Sequence, residues 1–339
     1  MASLESAFVK EAARAAGFHE VGVARARPLD PGPLERVLRS GWDADMAWLG
    51  ARKAERLDPS LLLPGARSVV ALALSYAAPA APEPARARVA RYARGRDYHA
   101  VMKRRLASFL ARLRERDPGL RAFASSDIAP VMEKAWAQEA GIGWVGKNGC
   151  LITPRHGSWV LLATAILDRE LAPDAPHPER CGDCRACIPA CPTGAIPAPG
   201  FVDARRCISF QTIERRGAVP EEVAERLGPW VFGCDDCQTA CPWNGAVAAS
   251  SDEELLPRRP GLDLEALLRL TLEEYRKSFW GTSLARARHD GLLRNAVLAA
   301  GASGEPRWRE AVRAHLASAF PGVRQAARWA IRRLGGDGS

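Results

Sequence analysis

Eight of the nine cysteines in this chain fall between Cys181 and Cys241, and thiolates are the ligands of iron and zinc. The first group reads Cys181-x2-Cys184-x2-Cys187-x3-Cys191-Pro192. That is the bacterial ferredoxin run, in which three thiolates clasp one 4Fe–4S cluster and the fourth reaches a second. Two-residue gaps let a tight loop wrap three corners of a cube, and the proline turns the chain away afterwards. A second group reads Cys234-x2-Cys237-x3-Cys241-Pro242. Aligned on the first, its missing leading cysteine would stand at Val231, and Cys207 is the cysteine left to supply that ligand. Cross-over pairing gives Cys181, Cys184, Cys187 and Cys241 to one cluster and Cys191, Cys207, Cys234 and Cys237 to the other. The competing reading is a pair of zinc sites, since Cys-x2-Cys pairs also build zinc ribbons. Against it, no histidine lies between Cys181 and Cys241.

Two further places could carry chemistry. Asp127 ends a strand-like run and precedes Pro130 at the start of a helix. It reads either as a cap or as a general acid held by that helix beside the Gly141–Gly149 loop. Gly141-Ile-Gly-Trp-Val-Gly146 matches a dinucleotide fingerprint as letters, but it follows a helix and opens none, so the context fails. Its glycines predict a backbone approached closely by a strand or a flat cofactor, with Lys147 and Asn148 at the loop tip as hydrogen-bond donors. His99, with no second histidine spaced for a metal, reads as structural, and Cys150 as a buried thiol.

These residues need elements to hold them. Apolar spacing predicts a helix over Ser3–Ala16 and a long amphipathic one over Tyr98–Arg116, stopped at Asp117-Pro118-Gly119. Val21–Ala24, Ser68–Tyr76, Arg121–Ser125 and Trp159–Leu167 read as strands and Val131–Ala140 as a helix. Ala77–Pro84 reads as a surface loop and Ala172–Pro178 as a linker. The iron–sulfur segment follows, to a polar boundary at Ser250–Glu254. Leu292–Ala300, Trp308–Ala317 and Val323–Leu334 then predict helix–turn–helix stacking of the HEAT kind.

Length and composition bound the rest. The chain has 339 residues, 47% of them hydrophobic, which suits two or three domains with real cores and excludes wholesale disorder. Its longest apolar runs, Val69–Leu74 and Trp159–Leu167, fall well short of the roughly 18–20 residues that span a bilayer. Charges in the first helix do not fit a signal peptide. A cytoplasmic protein is expected, with metal or redox chemistry rather than disulfides. The net charge is +9. Ten arginines and no lysines stand between Arg286 and Leu334, and eight basic residues between Arg86 and Arg105. Each is either a solvated face or a phosphate-binding zone, and two separated zones suit an extended polyanion.

Taken together, certain runs resemble the epoxyqueuosine reductase family. They are Asp127-Ile-Ala-Pro-Val-Met-Glu-Lys-Ala-Trp, Ala140-Gly-Ile-Gly-Trp-Val-Gly-Lys-Asn, the Cys181 run, Cys207-Ile-Ser-Phe-Gln-Thr and Gly233-Cys-Asp-Asp-Cys-Gln-Thr-Ala-Cys-Pro-Trp-Asn, with Arg56-Leu-Asp-Pro-Ser near the start. The resemblance implies reduction of epoxyqueuosine to queuosine in tRNA, with two 4Fe–4S clusters and a cobalamin whose nucleotide tail is displaced from cobalt. It implies an α+β multidomain fold. Residues 1–172 would be an α/β-type cobalamin-binding domain, 173–250 a bacterial-ferredoxin-like two-cluster domain, and 251–339 a helical HEAT-like domain that binds tRNA. Asp127 would be the proton donor, its pKa raised by an apolar site, while Arg56, Lys147, Asn148 and Ser209 would lie around the cofactor. An external electron donor such as ferredoxin or flavodoxin is implied, with no membrane contact, and a monomer is expected. The rival readings are a cobalamin and iron–sulfur reductase of a small molecule, as in reductive dehalogenases, a ferredoxin-like electron-transfer module, and a zinc-containing nucleic-acid binder.

Overall fold

The apolar run Ser68–Ser75 forms a strand that is buried at every position, because it lies inside a sheet with helices on both faces. The strand order is Glu20–Arg25, Ser68–Ser75, Val160–Leu167, Ala122–Ser125. On one face, Val70, Leu72 and Leu74 pack with Phe109 of the Tyr98–Arg116 helix and Val9 of the Ser6–Ala15 helix. On the other, Val69 and Ala71 meet Trp136 of the Glu133–Glu139 helix. The computed structural model describes residues 4–78, 87–250, 252–258 and 262–335. Most of the Ala77–Pro84 loop expectation therefore lies outside the described residues, as does Arg86.

The α/β-type expectation for the first segment is corrected. All three pairings of this sheet are antiparallel, so it is an α+β layer without parallel crossover units. The Gly141–Gly146 run builds a short antiparallel hairpin with Trp144–Val145 facing Leu151–Ile152. A Cβ at Gly143 would meet the Ile152 carbonyl oxygen at 2.1 Å, so the glycine serves a backbone approach and no phosphate.

The Ala172–Pro178 stretch is strapped down rather than loose. The Asp174 amide donates to the Val23 carbonyl, its carboxylate accepts from the Val23 amide, and it forms an ion pair with Lys10. Its composition marked a connection, but ion pairing and backbone bonding fix its course.

A further core joins the cysteine-rich segment to the C-terminal helices. Ile208, Leu227 and Val231 pack with Leu292, Ala296, Val323 and Ala327. The helices Arg288–Ser303 and Pro321–Arg333 lie against each other, and the first also touches the strand Trp230–Phe232. Trp308–Ala317, expected as one helix, is a 3-10 turn, a short α-helix at Arg309–Arg313 and another 3-10 turn. Among the described residues no helix is long and apolar enough to cross a membrane.

Candidate active site

The structure gathers the eight thiols into two groups. Cys181, Cys184, Cys187 and Cys241 line one cavity together with Lys147, Asn148 and Trp243. The short helix that begins at Cys187 packs against the one that holds Cys237, which brings Cys241 across. Cys191, Cys207, Cys234 and Cys237 form the other group; Cys237 feels the charges of Cys150 and then of the other three. Val231, where the second run lacks a cysteine, is fully buried in a strand. Cys207 stands instead at the start of the Ile208–Ile213 helix.

These groups suit iron–sulfur cubes. Burial pushes the Cys187, Cys207, Cys234, Cys237 and Cys241 thiols above their ordinary range, so holding them as thiolates needs a bound cation. Donors already face the sulfurs, as cluster thiolates require. The Trp144 indole N–H donates to Cys181 Sγ at 3.4 Å and the Ala195 amide to Cys191 Sγ at 3.2 Å. Among the described residues no three Cys, His, Asp or Glu side chains are gathered tightly enough to hold a single metal ion.

Asp127 follows the strand Ala122–Ser125 and adopts φ +66°, a left-handed conformation that a non-glycine residue holds only under constraint. The constraint is visible. Its amide donates to Glu133 Oε1 at 2.7 Å, while its Oδ2 accepts from the Tyr98 hydroxyl at 2.6 Å and meets His99 Nε2 at 3.3 Å. His99 Nδ1 lies 2.8 Å from Asp97 Oδ1, and the ring stacks on Tyr98. Asp127 is thus no helix cap, for the residue preceding the Glu133–Glu139 helix is Met132.

The raised Asp127 pKa is expected of a site closed by the corrin; the protein groups around Asp127 act in the opposite direction. The hydrogen bond from His99, helped by Tyr98, outweighs burial and holds the carboxyl below its ordinary value. The protons sit on its neighbours. Hydrogen bonds to Asp127 and Asp97 push His99 up to about 9, and burial pushes Glu133 up to about 8.

The remaining expected site residues divide. Arg56 is buried, donates to the carbonyls of Leu49 at 3.1 Å and Trp48 at 3.3 Å, and feels the Glu133 charge. It therefore belongs to the Asp127 neighbourhood. Lys147 and Asn148 line the first cage; Asn148 spends its oxygen on the Cys150 amide and keeps a buried Nδ2 without a hydrogen-bond partner. The Ser209 amide donates to the Cys207 thiol. Cys150 lies near Cys207 and Cys241, and burial raises it to about 11. Several arginines of the basic zones turn inward. Arg294 is 2% exposed and donates to the carbonyls of Gln211, Arg215 and Gly217. Arg94 is buried against Val89 O, and Arg105 forms an ion pair with buried Asp252.

Tyr98, His99, Glu133 and Tyr92 were not expected at the site. Tyr92 packs its ring edge-on to Tyr98 at 5.8 Å and against Phe232 at 6.3 Å, so it joins the Asp127 cluster to the segment that enters Cys234. Tyr98-His99 lies 29 and 28 residues from Asp127, and no local pattern links them. Glu133 stands six residues after Asp127, in the same run of sequence. Fit to a corrin rests on the wall beside Asp127. Ile128 is 83% exposed and Trp48, under which Arg56 lies, is 49% exposed. Ile128, the residue after Asp127, thus offers an apolar surface against which a flat cofactor would rest.

Two family models match, one described as a 4Fe-4S double cluster binding domain over residues 180–244 and one as epoxyqueuosine reductase QueG, DUF1730, over residues 56–126. The epoxyqueuosine reductase of Gloeobacter violaceus is 44% identical over 311 residues, 88% of this chain and 97% of that protein. A crystal structure of selenomethionine-labelled epoxyqueuosine reductase superposes with a TM-score of 0.89 at 31% identity, covering 96% of this chain and 89% of that one. An epoxyqueuosine reductase bound to an epoxyqueuosine-modified tRNA-Tyr stem loop gives 0.87 at 31% identity with the same coverage.

Proposed function

The chain belongs to the epoxyqueuosine reductase family, and we propose on that premise that it reduces epoxyqueuosine to queuosine in tRNA, using two 4Fe–4S clusters and a cobalamin. The reaction takes up two electrons and two protons, opens the epoxide and releases water. The observation that carries the reading is the contact chain from the Cys234–Cys237 loop through Phe232, Tyr92 and Tyr98 to Asp127, which sets an electron-carrying cage beside a proton-bearing cluster.

A cobalamin, when bound, supplies the strongly reducing centre that acts on the epoxide carbon. The wall with Arg56 and Asp127 would hold it, with Lys147, Asn148 and Ser209 as further contacts from the cage loops. Epoxide opening leaves an alkoxide, and hydroxide leaves poorly, so both oxygen protonations need a positioned acid. Asp127 is the group we assign to the substrate oxygen. Its carboxylate takes a proton from His99 and passes it on, while Glu133 stores another against the Asp127 amide. Asp97 orients His99 through Nδ1, and Tyr98 fixes the other lone pair of Asp127 Oδ2. In this reading residues 1–172 house the cofactor, 173–250 the clusters, and the HEAT-like helices of 251–339 grip the tRNA.

The test is Asp127→Asn in anaerobically purified protein, followed by mass spectrometry of the tRNA nucleosides. Iron and cobalt content should match the parent, and queuosine formation should fall by about 10²-fold or more. Parental turnover would remove Asp127 from proton delivery.

A further inference from the structure

The two cages differ in their access to solvent. Cys184 is exposed, whereas all four cysteines of the other cage are half-buried, and Phe232, just before Cys234, packs on Tyr92 toward Tyr98 and Asp127. Directly outside the exposed cage lies a groove, with Pro154 and Arg155 on one wall and Pro242, Trp243, Ala246 and Val247 on the other. Trp243 lines both groove and cage. Its ring meets Trp144 edge-on at 4.8 Å, and the Trp144 indole donates to Cys181 Sγ. The surface is thus joined to a cluster ligand by two packed indoles.

The walls are locked together. Asn244 Oδ1 accepts from the Ser158 amide at 2.7 Å, and its Nδ2 donates to Ser158 Oγ and to the Gln238 carbonyl. Gly157, at φ +55°, has no room for a Cβ, which would fall 2.0 Å from Asn244 Oδ1. None of these groups is needed to ligate iron.

The surrounding charge has a sign. Arg155 is exposed in the groove, and Arg180 and Arg185 are exposed on the cysteine loop. Glu179, its carboxylate on the Cys181 and Gly182 amides, and Asp183 are the exposed acids of that loop, two against these three arginines. We infer that this groove is the docking site of an acidic, low-potential, one-electron carrier protein that reduces the cluster held by Cys181, Cys184, Cys187 and Cys241.

The inference rests on the iron–sulfur reading of that cage. Each docking transfers one electron: the carrier is oxidised, the cluster passes from the 2+ to the 1+ state, and no bond is made or broken. Two such events serve one epoxide. Steering by opposite charge raises encounter rates and is screened by salt.

The test compares photoreduced flavodoxin with dithionite as reductants of the cluster-loaded protein, following bleaching of the cluster absorbance by stopped flow without tRNA. Arg155→Glu should slow flavodoxin-driven reduction about five- to tenfold at low salt, with the gap closing near 0.5 M salt, a Debye length of only a few Å. Its dithionite rate should stay parental. Anisotropy of labelled oxidised flavodoxin should report weaker binding by a similar factor. Trp243→Phe should keep the flavodoxin rate within about twofold and Trp243→Ala should lose it, since the aromatic bridge is what differs. The charge control is Arg112→Glu, an exposed position of the Tyr98–Arg116 helix outside the groove lining. An Arg155→Glu protein reduced and bound like the parent, or an Arg112→Glu protein slowed as much, would overturn the docking site. A preparation lacking two four-iron clusters would instead strike the function proposed above.

Discussion

Asp127 owes its chemistry to what touches it more than to its own type. A carboxylate that accepts hydrogen bonds from a phenol and an imidazolium is held ionised, and its proton resides on the partner. The neutral-pH site therefore stores protons on His99, facing Asp97, Tyr98 and Asp127, and on Glu133, facing Asp127, Lys134 and Arg56. Both are proton-loaded below their raised values of about 9 and about 8. Single-turnover queuosine formation should accordingly be flat near neutrality and fall as pH climbs through 8 to 9. In His99→Gln the step near 9 should vanish, leaving the one near 8, and Asp127 should move back toward the ordinary carboxylate range. A parental pH profile in His99→Gln would exclude His99 from the proton path.

At the scale of elements, the Ile208–Ile213 helix that presents Cys207 depends on a residue far along the chain. Its final carbonyls have no intrahelical partners. Arg294 supplies donors to Gln211 O, and Asn295 Nδ2 bridges Thr212 O and Val231 O. Asn295→Ala would strand buried carbonyls at about 1–3 kcal/mol each. We expect a lowered thermal midpoint together with loss of one cluster's iron before the other's, read by iron analysis during a thermal ramp. The sheet is a separate matter. Leu72→Ala, at a fully buried position, should cost about 2–5 kcal/mol in a denaturant titration, while the iron retained by folded protein is unchanged.

Over the whole molecule, the arginine excess splits into inward and outward sets. Arg94, Arg105 and Arg294 serve internal carbonyls and carboxylates, whereas Arg288, Arg313 and Arg328 are exposed. Arg286, bonded to Glu214, also lies within the field of Asp127, which brings the C-terminal basic zone to the acid–base cluster. Affinity for a modified tRNA stem loop should fall linearly on a log–log plot against salt. Arg313→Ala should reduce that slope by about one if it meets a phosphate. Salt-insensitive binding in a filter or anisotropy assay would contradict phosphate-led recognition.

Much of this was legible in the sequence because it is local. Cysteine gaps of two and three residues, followed by proline, specify loops around a cube whatever the rest of the chain does. The Tyr98–Arg116 helix has the span its apolar period and its Asp-Pro-Gly stop dictate. Val231 against Cys207 was arithmetic on eight ligands. What the sequence could not decide was any property set by groups distant along the chain. The direction of the Asp127 pKa turns on Tyr98 and His99, about thirty positions earlier, which a helix start carries to within hydrogen-bond reach. The inward turn of Arg294 follows from helix packing against Cys207's helix, and charge counts cannot tell a buried guanidinium from an exposed one. Antiparallel pairing likewise depends on which strands meet, and strand propensity carries no direction. Ligand identity is written in short-range spacing; protonation, charge placement and strand partnership are long-range, and only the folded chain brings their determinants into contact.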